Sequence, residues 1–293
     1  MTHFVDVPSG TFHLGSDNAY PEEAPRHERS VESFRISSTP ITNLDFGRFV
    51  VATGYRTVAE RPLDASIARG LPAELRVPGS IVFVAPEAVD AVEEGSWWRF
   101  VPGACWHAPQ GPESSIADKP DHPVVHIAQV DALAYCTWAG VRLPDEVEWE
   151  FAARSGRDSL TAFAWGDELT PNGRAMANHW RGEFPLQPMP DNVGSTTRVG
   201  TYPANELGLY DMIGNVWEWT SSEFHEGHRV SSCCGETAED PLQQGGRLMV
   251  LKGGSHLCAE NYCSRYRPTA RIPQPAHFSA SHIGFRVAAD AEQ

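Results

Sequence analysis

Cys258 and Cys263 lie five positions apart in LKGGSHLCAENYCSRYRPTAR, behind a Gly-Gly turn and ahead of an Arg/Tyr-rich stretch. Two thiolates held close together and left reduced bind a soft metal such as Cu(I), which would make the chain a redox enzyme. Read alone, a C-x4-C spacing favours two buried thiols or a disulfide. The remaining residues have to shift that balance.

Oxygen donors gather in two other places. In GNVWEWTSSEF, Glu218 stands between Trp217 and Trp219. Strand alternation sends the two indoles one way and the carboxylate the other, and a carboxylate buried there needs a cation or hydrogen bonds. Asp211, Glu218 and the turn carbonyls of Gly214 and Val216 form an all-oxygen set suited to Ca2+, against the plainer reading of a turn with surface acids. In ANHWRGEFP and PDNVGS, Asn178 and Asp191 offer a second such set, against ordinary Asx turns. His122 and His126 share HPVVHI, where Pro-Val-Val favours a strand, and a strand separates them too far to chelate; they read as structural. Cys105 and Cys136 read as packing residues, and the adjacent Cys233 and Cys234 as loop residues open to oxidation.

The elements that must position these groups are short. Asn43–Thr53 reads as a helix capped by Thr42 and ended by Gly54; 131–139 and 145–154 read as two more. Strands are expected at Thr11–Leu14, Ile81–Val84, Val124–Ile127, Met249–Lys252 and Gly284–Ala288. Segment 60–100 reads as an insertion. With 25 Gly and 23 Pro in 293 residues, much of the backbone belongs to turns. The expectation is one irregular α+β domain over 1–293.

An apolar share of 41% supports a core without disulfide staples. The net charge of −15 repels nucleic-acid phosphates and is compatible with a basic peptide as substrate. No signal peptide and no membrane-length apolar run are visible, so a reducing cytoplasm is the expected address.

Taken in order, RLPDEVEWEFAARSG, YPANELGLYDMIGNVWEW, LKGGSHLCAENYCSRYRPTAR and SASHIGFRVA resemble the formylglycine-generating enzyme (sulfatase-modifying factor) family across nearly the whole chain. GNVWEW, RLP-x-E-x-EWE and GFR are shared by the wider superfamily; KGGS-x-x-C-x-x-x-YC-x-RYR marks members with the catalytic cysteine pair. The resemblance implies a C-type-lectin-related α+β fold. It implies an O2-using oxidase that converts the cysteine of a Cys-x-Pro-x-Arg segment in a sulfatase to Cα-formylglycine, through a thioaldehyde that hydrolyses. Cys258 and Cys263 would hold Cu(I), with Trp217, Ser255 and Tyr262 lining the O2 pocket. One Ca2+ site would use Asn178, Asp191 and the carbonyls of His179 and Val193; the other would use Asp211, Glu218 and the carbonyls of Gly214 and Val216. The partner would be a peptide or an unfolded sulfatase segment, and the protein a monomer.

Three departures stand out. Cys136 occupies a family disulfide position, but Val287 occupies that of its partner, and Ala153 and Pro268 replace the other pair, so those bridges cannot form. RIPQPAHFSASH and HIAQVDA differ from the family's usual runs. Competing readings on the same fold are a non-heme iron sulfoxide synthase, which would need a His-x3-His-x-Glu motif that is not seen here, and a non-catalytic binding module.

Overall fold

The computed structural model describes residues 2–62, 72, 75–86, 95–159, 161–188, 194–228 and 247–291. Its strands are β1 Phe4–Val7, β2 Gly10–Leu14, β3 His27–Val31, β4 Phe34–Ser37, β5 Gly79–Phe83, β6 Trp98–Pro102, β7 Gly182–Glu183, β8 Gln187–Pro188, β9 Trp217–Glu223, β10 Leu248–Lys252, β11 Arg271–Pro275, β12 Ile283–Phe285 and β13 Ala288–Asp290. The longer helices are α1 Asn43–Thr53, α2 Gln129–Ala139 and α3 Glu146–Ala153. The central sheet runs β11-β10-β9-β12, antiparallel except that β12 lies parallel to β9; a second sheet runs β1-β4-β13. This is the mixed α+β architecture expected.

Local chemistry fixes the helices. Thr42 Oγ1 accepts from the Asp45 amide, and Gly54, at φ 67°, donates back to the Val50 carbonyl. A reciprocal box between Asp145 and Glu148 starts α3. Helix α2 begins at Gln129, two residues before the expected start. Asp131 is its third residue and accepts from the Ala128 amide at 3.0 Å, so the first turn forms upstream of the carboxylate.

Two expected strands differ. Val124–Ile127 is an irregular connector: His126 has φ 61°, and the segment's amides go singly to Ile41 and Ala280. His122 instead meets Thr196 and His126 meets the Pro109 carbonyl, so both histidines are structural. Gly284–Ala288 is split into β12 and β13 at Arg286–Val287, where the chain leaves β9 and joins β4. Segment 60–100, where described, contributes the β5–β6 hairpin.

The core lies on both sides of the central sheet. One cluster gathers Phe46, Tyr135, Trp217, Trp219 and Phe285; another gathers Phe12, Phe34, Trp149 and Phe151. Buried ion pairs stitch them together, because loop-rich backbone leaves few ladder bonds to do so. Glu218, between its two tryptophans, takes Arg286 Nε at 2.6 Å and Nη2 at 2.9 Å, and Trp149 Nε1 at 2.7 Å. The alternation read from sequence holds, and the neutralising cation is an arginine of the GFR segment. Among the described residues, no helix is long and apolar enough to cross a membrane.

Candidate functional site

The cysteine-bearing stretch is the connection between β10 and β11. At its base Lys252 pairs in register with Arg271. Both cations are buried and dock on α3: Lys252 Nζ lies 2.9 Å from Glu150, and Arg271 Nε lies 2.7 Å from Glu146. Four residues apart, those carboxylates share one helix face, so the acids around EWE anchor the loop at both ends. Gly253 and Gly254, at φ 93° and 75°, then turn the chain sharply. A Cβ on Gly254 would come within 2.5 Å of the Arg265 carbonyl, so the loop closes on itself only without a side chain there.

This brings the two sulfurs together: Cys258 Sγ and Cys263 Sγ are 3.4 Å apart. Both are free thiols; Cys258 is buried and Cys263 partly so. Burial pushes the Cys258 thiol well up. Its hydrogen bond to Cys263, with the Arg265 guanidinium 3.8 Å away, brings Cys263 down to about 6. Two close, soft sulfur donors of this kind fit Cu(I).

The pair lines a cavity of about 560 Å³. Trp217, Ser255 and Tyr262 line it too, so all five residues expected at the reaction centre come together. Ser255 is buried; its amide faces Cys258 Sγ at 3.5 Å, and its Oγ accepts from the Leu257 amide. Trp217 forms a rigid buried wall and is held to the His282 carbonyl by its amide at 2.9 Å. Tyr262 is 40% exposed at the mouth and stacks 4.6 Å from Phe184.

Sequence reasoning missed other lining residues. Ile81 and Trp98 come from the β5–β6 hairpin, so the segment read as an insertion builds one wall. Gln274, Phe278 and His282 come from RIPQPAHFSASH, the run that departs from the family's usual pattern. Ser279 and Ser281 tie that run to the hairpin, through Ser80 Oγ at 2.8 Å and the Phe83 amide at 3.1 Å. The strand expected at Ile81–Val84 was the only signal for this wall; contact across nearly 200 positions carries none.

The two oxygen-rich sets are neighbours. The Asn215 amide donates to the Asn178 carbonyl at 2.8 Å, and Gly214 packs so closely that a Cβ would meet that carbonyl at 2.3 Å. Asn178 Nδ2 donates to the Ser195 carbonyl, while its Oδ1 is buried without a partner among the described residues. Asp191 and Val193 lie outside the described residues, as do Cys233 and Cys234. Asp211 is buried at φ 53° and accepts from the Gly200 amide at 2.7 Å; burial raises it to about 6. Glu218, expected in the second set, already accepts from Arg286 and Trp149, which fill three of its roughly four acceptor positions. Among the described residues, no group of three or more His, Cys, Asp or Glu is placed to hold a metal. Cys136 is free and buried in the core cluster that also holds Val287.

The model of the sulfatase-modifying factor enzyme 1-like domain matches residues 1–291. A formylglycine-generating enzyme of Mycobacterium tuberculosis is 49% identical, over 99% of this chain and 98% of its own length. A bovine relative named inactive C-alpha-formylglycine-generating enzyme 2 is 34% identical, over 99% of this chain and 88% of its own. The structure of PvdO from Pseudomonas aeruginosa superimposes with a TM-score of 0.63 at 22% identity, over 98% of this chain and 94% of that one, a likeness of fold. The chain therefore belongs to the formylglycine-generating enzyme family, the sulfatase-modifying factors.

Proposed function

We propose that this chain is a formylglycine-generating oxidase that converts a peptidyl cysteine, in a Cys-x-Pro-x-Arg segment of a sulfatase or similar protein, to the Cα-formylglycine aldehyde with O2. The observation that carries the reading is the 3.4 Å contact between Cys258 and Cys263 in the wall of a cavity that also holds Trp217, Ser255 and Tyr262. Family membership alone does not supply it, since the family includes a relative named inactive.

Cys258 and Cys263 would hold Cu(I); bound there, the ion supplies the affinity for O2 and for a third sulfur that the protein lacks. The chain's own residues do the rest. The Gly253-Gly254 turn and the Lys252 and Arg271 anchors fix both sulfurs on a rigid loop, so neither has to be ordered when substrate arrives. Trp217 keeps water from one side of the cavity. Ser255, beside Cys258, and Tyr262, at the mouth, place hydroxyls where an oxygen or sulfur can be hydrogen-bonded. The cavity is large enough for a side chain and its flanking peptide. Its outer wall, with Trp98 and Phe278, is apolar and suits an extended, unfolded segment.

Ca2+ has a structural part in this reading. The unpartnered, buried Asn178 Oδ1 fits a hard cation, with Asp191 and the carbonyls of His179 and Val193 as further donors. In the second set Asp211 and the carbonyls of Gly214 and Val216 would carry more of the coordination, because Glu218 is shared with Arg286. A reducing cytoplasm would keep the cysteine pair open to metal.

The test is direct. Purified protein loaded with Cu(I) is incubated in air with reductant and a Cys-x-Pro-x-Arg peptide, and aldehyde is read by mass spectrometry. Cys258→Ala and Cys263→Ala are each expected to lower the rate by at least about a thousandfold with the fold intact, the scale of losing a group central to the chemistry. Aldehyde formed at wild-type rate by both variants rejects the assignment.

A further inference from the structure

Arg265 has a part that the reaction described above leaves unassigned. It lines the cavity, and its Nη1 is 3.8 Å from Cys263 Sγ. The opposite edge of the guanidinium is gripped from the other end of the chain: Nε and Nη2 both donate to Glu22 Oε1, at 2.9 and 2.5 Å. The Tyr20 ring lies under it at 3.7 Å. Tyr20 also accepts, through its hydroxyl, from the amide of Ser264, the residue between Cys263 and Arg265.

The strap that supplies these groups is itself fixed. It is a short 3-10 turn, Pro21–Glu23. The buried Glu23 takes Arg267 at 2.6 Å and Thr269 at 2.5 Å, and Arg271 donates to the Glu22 carbonyl at 3.0 Å. Residues 20–23 thus bind successive points of the loop from Ser264 to Arg271. No local pattern hints at this, because the partners are more than 240 positions apart.

We propose that Arg265 is a positioning residue for the cysteine pair, a fixed cation that directs one guanidinium edge at the Cys263 sulfur and offsets the negative charge gathered there, and that the Tyr20–Glu22 strap holds it in that place. Two thiolates around a monovalent ion leave an excess of negative charge, and a substrate thiolate adds to it. In a largely buried cavity such charge is costly unless a cation faces it. Arginine is suited to this position. It stays charged, and its planar fork serves a carboxylate and a sulfur at once while its face stacks on an aromatic ring.

The proposal rests on the copper reading for the identity of the ion, so the test has two readouts. The first is Cu(I) affinity by competition with a chromophoric chelator, for wild type, Arg265→Gln, Arg265→Lys and Glu22→Ala. Arg265→Gln is expected to bind at least about tenfold more weakly, as loss of a charge this close to the sulfur predicts. Arg265→Lys, which keeps the charge without the fork, should recover part of the difference, and Glu22→Ala should fall between wild type and Arg265→Gln. The second is the rate at which Cys263 is alkylated in the metal-free protein, expected to fall several-fold in Arg265→Gln and to recover in Arg265→Lys. Urea midpoints of all variants show whether each is folded. If wild type fails to compete for Cu(I), the copper reading fails and the alkylation rates still decide the role of Arg265. If folded Arg265→Gln matches wild type within twofold in both readouts, or Arg265→Lys is as impaired as Arg265→Gln, the charge role is overturned. Glu22→Ala indistinguishable from wild type removes the strap from the proposal.

Discussion

Replacing Glu218 by Gln tests whether the molecule is held by buried charge where it lacks regular structure. Glu218 is 1% exposed and Arg286 is 0% exposed. Three donors converge on the carboxylate, from Arg286 Nε, Arg286 Nη2 and Trp149 Nε1. The same guanidinium donates to the carbonyls of Ser37 and Tyr210. One pair thus joins β9, β4, α3 and the turn before β9. Glutamine keeps the shape but removes the charge and sets an NH2 against a guanidinium, leaving Arg286 buried and uncompensated. Removing one partner of such a pair costs about 3–5 kcal/mol. Against a typical domain stability of about 5–15 kcal/mol, that is a large share. Equilibrium urea unfolding followed by tryptophan fluorescence should show the loss as a lower midpoint at an unchanged slope. A Glu218→Gln, Arg286→Met double variant should regain part of it, because the unpaired charge is then gone. A single variant within about 1 kcal/mol of wild type at equal slope would refute the reasoning, since a surface ion pair costs no more than that.

Two further outcomes follow from the buried polar groups. Chelation of Ca2+ should lower the urea midpoint of wild type, and Asn178→Ala should remove most of that response; equal midpoints with and without chelator would count against a structural cation. Acid should destabilise the protein through His126, which is fully buried and lowered to about 4 by desolvation. Its folded value lies below its unfolded one, so its contribution is complete above about pH 6.5 and is lost as pH falls toward 4. Asp131, raised to about 6 by burial, works in the opposite sense over an overlapping range. His126→Asn, which tolerates the positive φ, should flatten the fall in stability between about pH 6.5 and 4; an unchanged profile would show that other groups control it.

Much of the scaffold was legible from residue types because its signals are local. The cap at Thr42 and the stops at Gly54 and Gly140 act within one turn of the helices they bound. The alternation at Trp217-Glu218-Trp219 sorted core from carboxylate correctly. Where a segment makes no local ladder, the reading failed. Val124–Ile127 has strand-forming residues, yet its amides serve separate partners. The split between β12 and β13 falls at Arg286, which turns inward to a carboxylate 68 positions earlier, a partner no window of sequence contains.

Residue types and their order were enough for the chemical inventory: two thiols behind a Gly-Gly turn, a serine and a tyrosine beside them, and a family pattern that implied the reaction. Folding in three dimensions supplied the rest. It set the two sulfurs in contact, made the paired strands 79–83 and 98–102 and a run from 272–282 wall the same cavity, and closed a strap at 20–23 on the arginine beside Cys263. The physical reason is range. Backbone propensity and capping act over a few residues, whereas burying an ion pair or closing a cavity depends on whichever distant groups the fold brings into contact.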